Sequence, residues 1–173
     1  MAPLKLYSII LMVVLTGSMV VAIAHDIASF EIPDSLSIIL IVAGVAGLLT
    51  GGQGWSGLLS HGLQAFAAFA FGVLMFGLGQ WGGGDVKLIA ATSLWLNGAL
   101  FFSYLLLVAL AGGVLAIVIL LFRRCPLPVS WQARPWLLRL HQADQGLPYG
   151  VALGFGGLAV ARSAVDAMLG IGG

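Results

Sequence analysis

Charge is what this chain has least of: seven Lys and Arg and six Asp and Glu are spread over 173 residues, 8% together, for a formal net charge of +1. A soluble domain commonly devotes about a quarter of its residues to charge, so water cannot solvate this sequence as a globule. No basic run of the kind that tracks phosphates occurs, and nucleic acid is not expected as a partner. Cys125 is the only cysteine, which excludes an internal disulfide and a zinc ribbon built from paired cysteines. There is no metal-ligand cluster, nucleotide loop or Ser/His nucleophile arrangement, so neither a metal nor a cofactor is expected. No internal repeat is visible, and residues 1–173 read as a single transmembrane domain.

Apolar residues make up 61% of the chain and mean hydropathy is +1.12, the signature of an integral membrane protein in contact with a lipid bilayer. About 20 apolar residues cross roughly 30 Å of hydrocarbon. On that measure the sequence predicts an all-α polytopic bundle of about six transmembrane helices, over residues 4–24, 35–50, 58–78, 86–96, 99–122 and 149–169. The fourth segment is short, and Asn97-Gly98 supplies the break that separates it from the fifth. Arg123, Arg124, Arg134 and Arg139 share one polar loop, which the positive-inside rule places in the cytoplasm. Six segments then put Asp26 and Asp85 on that same side. Trp55, Trp81, Trp95, Trp131 and Trp136 fall near predicted ends, as interfacial anchors do. Within the loop, Trp136 to His141 suits a short helix lying on the membrane surface. Gly150 and Gly154 give a spacing that permits close helix packing. Lys5, the first apolar run and Ala22-Ile23-Ala24 also have the outline of a secretory signal, but cleavage there would strip the helix that presents Asp26.

The chemistry sits in the few acids. An ionisable group at membrane level is costly and by default marks function. Gly82-Gly83-Gly84-Asp85-Val86-Lys87 lies between two apolar runs, and His25-Asp26 follows the first. Two carboxylates held a few ångströms apart share a proton, so that one acts as base toward water while the other polarises a carbonyl. Glycines before Asp85 would let the backbone turn and approach a substrate closely. A flexible turn with Asp at a helix start is the bland alternative. Lys87 is a candidate to tune Asp85 or touch substrate, Pro148-Tyr149-Gly150 to shape a cleft, and Asp34 to cap the second helix. Glu31 reads as a surface charge. The competing function is a small ion- or proton-coupled transporter subunit with Asp26 and Asp85 as relay groups.

Gly82-Gly83-Gly84-Asp85-Val86-Lys87-Leu88, Asp26 with Ile32-Pro33-Asp34, and Leu147-Pro148-Tyr149-Gly150-Val151-Ala152 together resemble the type IV prepilin peptidase family, and within it the small single-domain branch of Flp/Tad pili. The resemblance implies a GxGD intramembrane aspartic protease with Asp26 and Asp85 as the catalytic pair and Gly82, Gly84, Lys87, Pro148, Tyr149 and Gly150 around them. It further implies a bacterial inner-membrane enzyme facing the cytoplasm. Its substrates would be prepilin or pseudopilin precursors, cut between a basic leader and an apolar helix, and its partners other pilus or secretion components. The branch that also methylates carries paired cysteines, so the lone cysteine here implies a peptidase without methyltransferase activity. Relatives often have basic residues before the Ile-Pro element and Asn after it; here stand Ile27-Ala28-Ser29-Phe30-Glu31 and Asp34.

Overall fold

The computed structural model describes residues 2–126, 128, 131, 133–142 and 146–170. Its helices are α1 (Ala2–Ser29), α2 (Asp34–Thr50), α3 (Gly54–Gly77), α4 (Gly83–Ser93), α5 (Gly98–Arg124), α6 (Pro135–His141) and α7 (Tyr149–Met168). No strand occurs among the described residues. The helices α1, α3, α5 and α7 are long and apolar enough to span a membrane, and α2 falls just short at 17 residues. The protein is a membrane helix bundle.

Packing follows from small residues, because inside lipid the hydrophobic effect does not drive helices together and close contact does. One face of α7 carries Gly150, Gly154 and Gly157, and all three lie against α1. A Cβ on Gly154 would collide with Ile23 and one on Gly157 with Met19. The GxxxG reading therefore holds and extends by one more glycine. Gly72 of α3 likewise admits Val86 of α4.

At 11 residues, α4 is only about 17 Å long at 1.5 Å per residue, too short to cross. It is enclosed by α2, α3 and α7, and its last carbonyls must find donors away from water. The neighbouring helices supply them. Gln64 Nε2 donates to the Ser93 and Leu96 carbonyls at 3.0 and 2.9 Å, and His61 Nδ1 lies 2.9 Å from Leu94 O; in the opposite sense, Trp95 Nε1 just past α4 donates to Leu40 O of α2 at 2.9 Å. A carbonyl only accepts, so that His61 nitrogen carries the proton. Trp95, read from sequence as an interfacial anchor, is instead wholly buried at 0% exposure, because the segment it ends never reaches the interface. The expected break is present: the Asn97 side chain accepts from Leu100 N at 3.0 Å and caps α5.

Two boundaries differ from expectation. The first helix continues five residues past position 24 to Ser29, since nothing in that stretch breaks a helix, and so Asp26 lies inside α1 rather than beyond it. Phe30, at φ 58, ends the helix with its N–H still bonded to Asp26 O. Asp34 is the first residue of α2, not its cap; the extended Pro33 holds that place. A short helix, α6, covers Trp136 to His141 as expected, and its Arg139 donates to the Ala28 carbonyl at 3.2 Å and so ties the arginine loop to the Asp26 end of α1.

Candidate active site

A cavity of about 800 Å³ opens at that end of the bundle, walled by Asp26, Phe30, Glu31 and Ile32 from the end of α1 and the turn after it, by residues 79–85, and by Gly146, Leu147 and Tyr149. Two acids 59 positions apart thus share one recess. Asp26 feels the charge of Asp85. It is 4% exposed, and its Oδ2 has no hydrogen-bond partner among the described residues. The backbone N–H groups of Gly150 and Val151, in the first turn of α7, face its carboxylate, and that of Val151 also donates to the Pro148 carbonyl at 3.2 Å.

Glycine is required here for contact. A Cβ on Gly150 would come within 2.8 Å of both Asp26 Oδ2 and Ile32 Cδ1. One on Gly84 would sit 3.0 Å from Ile32 Cβ, and one on Gly82 3.0 Å from Asp85 Oδ2. Gly83 is different, since its nearest neighbour would be Phe76 at an ordinary 3.7 Å. Of the three glycines before Asp85, the first and third are thus the ones without room for a side chain. Asp85 occupies the third position of α4, and its Oδ2 accepts from Gly82 N at 3.2 Å. This is half of a capping box, the other half needing a side chain that glycine lacks. Asp85 lies outside the four membrane-length helices; burial pushes its carboxyl up from 3.8 to about 6, with the Gly82 N–H pulling the other way.

The remaining sequence candidates divide. Tyr149 lines the recess, half-buried, its ring resting where Gly112 of α5 leaves room. Pro148 is buried at the cap position of α7 and positions Tyr149 and Gly150 without lining the cavity. Lys87 is not in the wall. Its Nζ grips Asp34 at 2.7 and 2.8 Å, as two positions along a helix point nearly opposite ways. His25 is exposed. Two further residues line the wall. Trp81, which the sequence reads as an anchor, lies edge-on to Phe71, with ring centroids 5.7 Å apart. Glu31 is exposed, in keeping with a surface charge, and is part of the wall as well. The left-handed turn at Phe30 places it there, and no residue pattern announces such a turn at a Phe. Among the described residues no group of three or more His, Cys, Asp or Glu is placed to hold a metal ion.

Residues 13–121 match the model of the type IV leader peptidase family. No curated protein and no solved structure matches the chain.

Proposed function

The chain belongs to the type IV leader peptidase family, and from that premise we propose that it is an aspartic endopeptidase whose catalytic pair is Asp26 and Asp85. The family gives the class of substrate, a prepilin. The observation that carries the proposal is the shared recess: two carboxylates brought by different helices into one cavity.

Such a pair holds one proton between its members, and the pair titrates as a unit. A water placed between the carboxylates loses a proton to the ionised one as its oxygen attacks the scissile carbonyl carbon. The protonated one delivers its proton to the carbonyl oxygen. Collapse of the tetrahedral intermediate then breaks the C–N bond, the departing amine takes up a proton, and the pair returns to its singly protonated state. The missing side chains at Gly82 and Gly150 let the main chain pack close to Asp85 and Asp26.

We place the cut on the cytoplasmic side of a bacterial inner membrane, because the recess shares its end of the bundle with Arg139 and the arginine loop. The lone Cys125 supports peptidase activity without methyl transfer, in the manner of the Flp/Tad branch. Detergent-purified protein mixed with a prepilin should shorten it by its leader. An unshortened precursor in the presence of folded protein would overturn the proposal.

A further inference from the structure

The helices that carry the two acids do not pack mainly on each other. Asp26 belongs to α1, which lies mainly against α7 and α2, and Asp85 to α4, which lies mainly against α3 and α2. The spacing of the carboxylates is therefore set by what stands between them, and Ile32 stands there. A Cβ on Gly84, the residue before Asp85, would sit 3.0 Å from Ile32 Cβ and 3.4 Å from its backbone N and O. A Cβ on Gly150 would lie 2.8 Å from Ile32 Cδ1 and equally close to Asp26 Oδ2. One side chain thus reaches from the main chain of α4 beside Asp85 to the main chain of α7 beside Asp26. Neither glycine offers a flexible side chain to absorb a change.

Ile32 is suited to holding a distance. Its branched Cβ restricts χ1, the following Pro33 confines its backbone to extended conformations, and it is only 9% exposed. Just beyond Pro33, Asp34 takes the Lys87 ammonium at 2.7 and 2.8 Å, which fastens α4 to the start of α2 two residues after Asp85.

We propose that Ile32 is a positioning residue, a spacer wedged between Gly84 and Gly150 that fixes the separation of Asp26 and Asp85 and with it the strength of their proton sharing. The proposal rests on the peptidase reading above. Two carboxylates keep their one shared proton over a pH range that widens as they approach, because closer charges make the second ionisation harder. The pH profile of kcat reads that range as the width of a bell. Loss of folded molecules lowers the bell without narrowing it. Of the other groups near the pair, Glu31 faces the recess from the turn and Tyr149 from α7, and Tyr104 of α5 feels the charge of Asp85. Arg139 of α6 and Lys87 are held by Ala28 O and Asp34. An apolar substitution at position 32 removes none of these charges.

The test uses the whole protein in detergent, with a prepilin as substrate. Ile32→Val deletes Cδ1, the atom that meets Gly150, and Ile32→Ala deletes the whole reach. The expected fall in kcat is about tenfold for the first and about a hundredfold for the second, the size that a small misplacement of reacting groups produces. KM should stay within about twofold, since ground-state binding is not what the spacer serves. The bell should narrow by about half a pH unit as the coupling weakens. Val160→Ala, a buried truncation farther along α7, is the comparison for lost packing and should keep the wild-type width. If Ile32→Ala does not fold, the width in Ile32→Val decides. A bell as wide as wild type in the folded Ile32 variants, an equal narrowing in Val160→Ala, or a loss carried by KM would overturn the proposal while leaving the peptidase standing. If the folded wild-type chain leaves the prepilin uncut, the peptidase reading itself is overturned, and the proposal with it.

Discussion

At the scale of single residues, the glycines around the acids separate by what a methyl group would meet. Gly150→Ala should cut cleavage by about a hundredfold, because a Cβ 2.8 Å from Asp26 Oδ2 forces that carboxylate out of line and small misplacements of reacting groups are costly. Gly83→Ala should keep wild-type cleavage and leave stability equal or higher by up to about 1 kcal/mol, since alanine suits a helix better than glycine. Equal loss in both variants would show that the motif needs backbone freedom rather than space. Asp85 adds a pH dependence. Its carboxyl rises on folding from 3.8 to about 6, so the folded state holds this proton more tightly than the unfolded state. The stability it contributes is present in full below the lower value and is lost as pH rises through the higher one. Thermal unfolding of wild type should therefore worsen across that window relative to Asp85→Asn, in which the dependence flattens. Parallel curves would contradict the burial of this group. Of these residues, Asp26 and Asp85 were legible in the sequence, because acids at the ends of apolar runs are conspicuous. Glu31 was not, for its place depends on one unusual backbone angle at Phe30.

At the scale of the element, α4 decides the architecture. A helix of 11 residues ending within the bundle is tolerable only because α3 supplies donors to its last carbonyls. Gln64→Leu should orphan the Ser93 and Leu96 carbonyls together. The expected destabilisation is about 1–2 kcal/mol, with lower cleavage because α4 carries Asp85 at its other end. Leu63→Ala on an exposed part of α3 is the comparison and should do neither. Unfolding in detergent that does not distinguish the two variants would refute the capping role. The sequence marked this element as short and found its break at Asn97-Gly98, but it could not show that Trp95 turns inward. A tryptophan at the end of an apolar run looks the same whether that end reaches the interface or stops inside the bundle.

For the molecule as a whole, the recess lies at one end of the bundle, and the turn between α2 and α3 lies at the other, where Gln53 Nε2 donates to Ala167 O near the end of α7. Single cysteines in a Cys125→Ser background should accordingly label Gly83 and Ala133 from the cytoplasmic side and Gly54 from the opposite side. Gly83 and Ala133 on opposite sides would break the topology. On the function proposed above, a substrate cut at the edge of an apolar helix would enter this recess sideways from lipid, with its helix end frayed before the carbonyl is open to attack. Replacing a glycine just ahead of the cut by leucine should slow processing, since leucine favours the helix and fills space. The central claim is that folding brings Asp26 and Asp85, far apart in sequence, into one proton-sharing pair. It is tested most directly by the cleavage rate of Asp26→Asn and of Asp85→Asn on a prepilin, each variant first shown to be folded. The expected result is no cleavage by either variant; substantial cleavage by either one would contradict the pair.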